Sequence, residues 1–292
     1  MPSLLWVPFR WESARLGERT FPHAAMFIHG SLPTVNGLSG WFQFDLGAPT
    51  TVLYGGALTA AQRAQVEAQR LPHPAMFNGQ EVPTLSLPVD VGPWTIERVV
   101  YLPDFGDEET TDNGELTLGT VGGDLVREHI LVVDFPGQRI TRLATLPSVW
   151  QAQAHWAPLR LSPHGHVILQ ITVDGVPRWA MYDSGSSLFH LLTDPQQWQH
   201  LTSGQVTETF PIMAWGEEVA VQGGPTHATF ALADLPLIVP VIHFLGGEER
   251  QRFLEQLDLI GILGNEPFLN HGLILDFPQK RVGLLASPLV AP

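Results

Sequence analysis

Apolar residues in this chain come in short runs, many of them alternating with polar ones, and glycine, proline, asparagine or aspartate cuts the runs at brief intervals. Period-two alternation reads as half-buried strands and the punctuation as turns, so the pattern predicts an all-β chain of many short strands. Phe42-Gln43-Phe44 and Ala180-Met181-Tyr182 read as buried strands that each run into a glycine turn. Residues 84–91 and 96–102 read as a hairpin about Gly92-Pro93. Helical signals are few. Thr59 is placed to cap a helix over 60–70, Asp194-Pro195 reads as an N-cap followed by proline at the first helical position, and 248–257 has helical spacing.

The pattern also repeats. Trp6-Val7-Pro8-Phe9-Arg10 returns as Trp156-Ala157-Pro158-Leu159-Arg160, and Trp41-Phe42-Gln43-Phe44-Asp45-Leu46-Gly47 as Trp179-Ala180-Met181-Tyr182-Asp183-Ser184-Gly185. The segment around Met76-Phe77-Asn78-Gly79 returns around Met213-Ala214-Trp215-Gly216. From Gly119 to Leu143 against Gly261 to Leu285, nine positions are identical without a gap, where composition alone would give roughly two. The chain therefore reads as a tandem duplication: an N-terminal lobe over 1–148 and a C-terminal lobe over 149–292. The boundary lies in the stretch 147–155, where the strand pattern lapses before Trp-x-Pro-x-Arg restarts.

Composition narrows the class. A length of 292 residues and 44% hydrophobic content suit a soluble globular protein with a sizeable core. The chain has no cysteine, and its first apolar run is too short for a signal-peptide core, so a cytoplasmic protein is expected. No run is long enough to span a bilayer. A net charge of −14, with Lys280 the only lysine, argues against nucleic acid and anionic membrane as partners. The acidic balance is most simply a matter of solubility.

Candidate chemistry sits at equivalent places in the two copies. In each, an apolar strand ends in Asp-x-Gly (Asp45-Leu46-Gly47, Asp183-Ser184-Gly185-Ser186-Ser187), and an apolar-apolar-Gly run follows later (Leu118-Gly119-Thr120-Val121-Gly122, Ile260-Gly261-Ile262-Leu263-Gly264). In this the sequence resembles the aspartic peptidases, both the two-lobed pepsin-like kind and the homodimeric retropepsins. The resemblance covers nearly the whole chain. It implies an all-β, two-lobed, pepsin-like acid protease barrel with internal pseudo-twofold duplication and few short helices, of the short bacterial type. It also implies an aspartic endopeptidase that acts as a monomer on an extended peptide or protein, without cofactor or metal. Asp45 and Asp183 would be catalytic, with Gly47, Ser184, Gly185 and Ser186 supporting the turns. Two carboxylates close enough to share a proton cannot both ionise, and the singly protonated pair can activate a water.

The sequence departs from the family in two ways. Leu46 stands where the family has Thr or Ser, whose hydroxyl braces the opposite loop, so activity is expected to be reduced or lost if nothing replaces that brace. None of the three tyrosines sits where the family's flap tyrosine is expected, which leaves Phe77 and Trp215 as aromatic candidates for a substrate-facing flap or cleft. The alternative from another class is a catalytically weak or inactive peptide-binding module that keeps the cleft. Other clusters carry less. His164-Gly165-His166 lacks the spacing of a metal site, and Ser186 lacks the Gly-x-Ser-x-Gly setting of a nucleophile. His129 and His271, at equivalent positions, suggest a structural hydrogen bond in each lobe, while Asp134 and Asp276 read as turn formers before Phe-Pro.

Overall fold

The structure is a computed structural model that describes residues 4–77, 79–106, 115–214, 217–285 and 289. Trp215 lies outside the described residues, as do Asn78 and the acidic run Asp107-Glu108-Glu109. The fold is all-β as expected, with four short α-helices among the described residues.

Six antiparallel strands join the halves, in the order Val7–Leu16, Arg139–Leu143, Ile130–Asp134, Gly272–Asp276, Arg281–Leu285 and His155–Leu161. At the centre, Val132 lies opposite Ile274, which is its own counterpart in the repeat. Ile130 pairs with Asp276 and Asp134 with Gly272. A residue can face its own counterpart in this way only if a twofold axis passes through the sheet between them. The duplication seen in the sequence is thus a pseudo-twofold in space.

The blocks that repeat in sequence meet at this sheet. In each hairpin turn a buried aspartate accepts a main-chain N–H, Gly137 to Asp134 at 3.1 Å and Gln279 to Asp276 at 3.2 Å. Its second oxygen takes a guanidinium Nε–H at 2.8 Å, from Arg139 and Arg281 respectively. Each of those arginines also lies over a tryptophan, Arg139 on Trp6 at 4.4 Å and Arg281 on Trp156 at 4.0 Å. The reading of Asp134 and Asp276 as turn formers holds, with an ion pair added.

Within each half the chain crosses itself. The strand Leu38–Phe44 forms a hairpin with Arg19–Leu32 and pairs in parallel with Thr117–Val121, which is also antiparallel to Val52–Tyr54. The second half repeats this. Val176–Tyr182 pairs with Val167–Val173 and, in parallel, with Leu259–Leu263, which meets Leu191–Thr193 at Leu192–Ile262. The late apolar strand therefore runs between the two arms of the aspartate turn.

The helices follow their caps. Thr59 and Gln62 form a capping box on Ala60–Glu67, a helix that stops short of residue 70. Asp194 accepts the N–H groups of Gln196 and Gln197 at the head of Pro195–Leu201, and Glu248–Leu257 forms as read. Ser148–Gln153 was not anticipated: it has no side-chain cap and is held by burial of Trp150 against Trp6, with ring centroids 6.1 Å apart. The hairpin about Gly92-Pro93 forms in two steps, Val89–Val91 with Trp94–Ile96 and Thr84–Leu85 with Val99–Leu102, because Pro88 interrupts the ladder.

The hairpin of Val7–Leu16 and Arg19–Leu32 is long enough to leave its own half. Near its tip Phe21 packs on Phe210 of the other half, centroids 4.9 Å apart, and Arg19 pairs with Glu208. No helix among the described residues is long and apolar enough to cross a membrane.

Removing one of the buried turn carboxylates should strand its guanidinium partner. Asp134→Ala and Asp276→Ala are each expected to lower stability by about 2–4 kcal/mol in denaturant unfolding. A loss below about 0.5 kcal/mol for both would contradict the role given to these turns.

Candidate active site

The two aspartate turns meet on the pseudo-twofold axis. Asp45 Oδ1 accepts the N–H groups of Gly47 at 2.8 Å and Ala48 at 3.2 Å. Asp183 Oδ1 accepts those of Gly185 at 2.8 Å and Ser186 at 3.3 Å. Each turn is also held from beneath by the crossing strand: Asp45 N–H donates to Val121 O at 3.0 Å, and Asp183 N–H to Leu263 O at 2.9 Å. The glycines are required by close approach. A Cβ on Gly47 would lie 2.4 Å from Asp183 Oδ1, and one on Gly185 would lie 2.4 Å from Asp45 Cγ. Each carboxyl group thus rests against the opposite turn.

The brace between turns is one-sided. Ser184 Oγ donates to Phe44 O at 2.9 Å and accepts from Leu46 N–H at 2.9 Å, so one hydroxyl joins both turns. Leu46 cannot return the bond. Its side chain is fully buried in the core instead, and Gln43 Nε2 reaches over to Gly185 O at 3.4 Å. Packing and a glutamine therefore stand where a second hydroxyl would have been. Ser186 Oγ donates to Asp183 Oδ2 at 2.8 Å, and Ala48 has no hydroxyl to do the same for Asp45.

This asymmetry has an electrostatic side. Burial is the largest influence on Asp45 and pushes its carboxyl well above the usual range; the charge of Asp183 pushes the same way. The N–H groups of Ala48 and Gly47 oppose the shift. Nearby, the Tyr54 hydroxyl lies 2.5 Å from Thr120 Oγ1, and burial raises the phenol's pKa, with the charge of Asp45 adding to the push.

The turns are supported differently in the two halves. In the second, the Asn265 side chain donates to Ser184 O at 3.2 Å and Ser187 Oγ at 2.5 Å, and accepts from Tyr182 OH at 2.7 Å. In the first, Asp124 accepts from Thr51 N–H at 2.8 Å and Thr51 Oγ1 at 2.7 Å. Gln43, Tyr54, Asn265 and the Thr51–Asp124 pair were not singled out from the sequence. Gln43 carried a signal, a polar residue between two buried phenylalanines; the others became visible only through contacts distant in the chain.

The remaining expectations divide. Ala75–Phe77 and Gln80–Val82 form a two-stranded hairpin separate from the main sheet, with Phe77 half-buried. Its counterpart pairs Glu208–Ala214 with Glu217–Pro225, and Trp215 lies outside the described residues. The equivalent histidines are a correction. His271 Nδ1 is buried with no hydrogen-bond partner among the described residues. What recurs is the main-chain bond, His129 N–H to Val126 O at 2.9 Å and His271 N–H to Phe268 O at 2.8 Å. The repeated residue marks a repeated turn.

Two lobes related by a pseudo-twofold, each presenting an aspartate turn threaded by a later strand, define a pepsin-like fold. The crystal structure of basic 7S globulin from soybean is similar, with a TM-score of 0.51 at 11% sequence identity over 98% of this chain and 96% of that one. No protein-family model matches the chain, and no curated protein matches it in sequence.

Two outcomes follow. Ser184→Ala removes both bonds of the brace and is expected to cost about 1–3 kcal/mol in unfolding, with Ser184→Thr close to neutral. Because the fold favours the neutral form of Asp45, its contribution to stability is complete below the ordinary aspartate range and fades as pH rises through its elevated folded pKa. Asp45→Asn should therefore flatten that part of the stability–pH curve; an unchanged curve would contradict the shift.

Proposed function

We propose that the protein is an aspartic endopeptidase in which Asp45 and Asp183 share one proton and activate a water between them. The observation that carries this reading is the mutual approach of the two turns, in which the carboxyl group of Asp183 rests against Gly47 and that of Asp45 against Gly185. The Asp45 carboxyl is pushed well above the usual range there, by desolvation first and by the charge of Asp183 next. Asp183 then acts as the base. It takes a proton from the water, whose oxygen attacks the scissile carbonyl carbon, while the Asp45 hydroxyl hydrogen-bonds the carbonyl oxygen as negative charge develops there. Collapse of the tetrahedral intermediate breaks the C–N bond as a proton passes to the leaving nitrogen. The pair is returned to its starting state.

The substrate would be an extended peptide lying across the two turns, gripped by main-chain hydrogen bonds as an added strand. The hairpin Ala75–Phe77 and Gln80–Val82 is the proposed flap, with Phe77 facing the substrate. One specific observation favours the second reading, a peptide-binding module with little or no turnover: the brace relies on Ser184 alone, and a misplacement of about an ångström can cost on the order of a hundredfold in rate.

Incubation with a denatured protein substrate from about pH 3 to about pH 6 separates the two. Cleavage on the acidic side that pepstatin inhibits and that Asp183→Ala abolishes is the expected result. Cleavage that persists in Asp183→Ala would sink the mechanism, and binding of extended peptides without cleavage would establish the module instead.

A further inference from the structure

Next to the Asp183 turn the structure gathers side chains from three separate segments: Val167, just after the turn His164-Gly165-His166, pairs with Tyr182, and Leu254 of the helix Glu248–Leu257 packs with Ile168 and Met181. The turn His164-Gly165-His166 of the second half wraps the Arg127 side chain of the first. Gly165 has φ of +90°, and a Cβ there would lie 2.3 Å from Arg127 Nη2, so the turn is shaped around that guanidinium. Arg127 Nη2 donates to Pro49 O at 2.5 Å, but its Nε is buried with no partner. The charge of Arg127 acts on Asp124, a carboxylate already engaged twice by Thr51. His166 stacks edge-on against Phe253 at 5.4 Å and lies 6.4 Å from the His164 ring. One turn before Phe253 on the helix Glu248–Leu257 is Arg250.

Arg250 is unusual for this chain. Arginines elsewhere are mostly spent on a carboxylate, a carbonyl or a ring, as with Arg10, Arg139 and Arg281, or are exposed, as with Arg15, Arg98 and Arg178. Arg250 is half-buried and makes no hydrogen bond or ion pair among the described residues. Burial lowers its pKa, and the charge of Asp183 is what acts against that push. In a protein of net charge −14, a half-buried guanidinium that is acted on by Asp183 and has no partner among the described residues is a place for an anion from outside.

We propose that the Asp183 side of the cleft, at Arg250, binds a carboxylate of the substrate. The source would be either an aspartate or glutamate side chain or the free C-terminus of a peptide. The proposal rests on the peptide-binding cleft inferred above and adds the substrate class to it.

Synthetic peptides amidated at the C-terminus, with one glutamate moved along the sequence, are compared with their glutamine equivalents and with a free-acid set at about pH 5, where glutamate is mostly ionised. The kcat/KM is measured on the wild-type protein and Kd on Asp45→Asn. One glutamate position, or the free C-terminus, is expected to gain about tenfold over its uncharged equivalent. Arg250→Gln should bring the ratio of the charged to the uncharged peptide, measured within that variant, to about one whatever its basal rate, and Arg250→Lys should keep part of the gain. The position that gains identifies the source of the carboxylate. Cleavage with no acidic preference, or a preference untouched by Arg250→Gln, would overturn the site and leave the peptidase standing. An acidic preference in Kd without cleavage by the wild type would do the reverse.

Discussion

Two carboxyl groups held against each other are the constraint around which this molecule is arranged. Left alone they would repel and hydrate, so the chain must supply both the force that brings them together and the groups that make a shared proton the better state. The force comes from the six-stranded sheet, where Val132 faces its own counterpart and fixes one half on the other. The groups come from the turns themselves, whose N–H bonds hold one oxygen of each aspartate while the opposite glycine clears the space in front. The same symmetry that builds the sheet therefore brings the charges face to face.

The symmetry is not complete, and the differences fall around the pair. Ser184 braces both turns where Leu46 only packs, and Ser186 donates to Asp183 where Ala48 cannot serve Asp45. Two identical carboxyls would share their proton evenly. Asp45 takes two N–H donors, while Asp183 takes two N–H donors and the Ser186 hydroxyl. Leu46 leaves the brace to Ser184 and is itself fully buried in the core.

Most of the fold was legible in the sequence because a duplication reports on three dimensions. The five repeated blocks map onto the joining sheet, its buried Asp–Arg–Trp clusters, the aspartate turns, the outlying hairpins and the crossing strands. Caps at Thr59 and Asp194 gave two helix starts from local chemistry. What was not legible was whatever depends on contacts distant in the chain and absent from the repeat. The long first hairpin meets the other half through Phe21 and Phe210, Gln43 spans to Gly185, and Arg127 is enclosed by a turn nearly forty residues away. None of these has a counterpart that could have marked it. The helix Ser148–Gln153 was missed for a related reason, since burial of one tryptophan holds it and no cap announces it.

A proton shared between Asp45 and Asp183 would be visible directly in carbon-13 NMR of aspartate-labelled protein. The Asp45 carboxyl carbon is expected to titrate well above the ordinary aspartate range, and to move back toward it in Asp183→Asn, where burial remains but the opposing charge is gone. An Asp45 signal that titrates in the ordinary range, or one that Asp183→Asn leaves unmoved, would contradict the central claim.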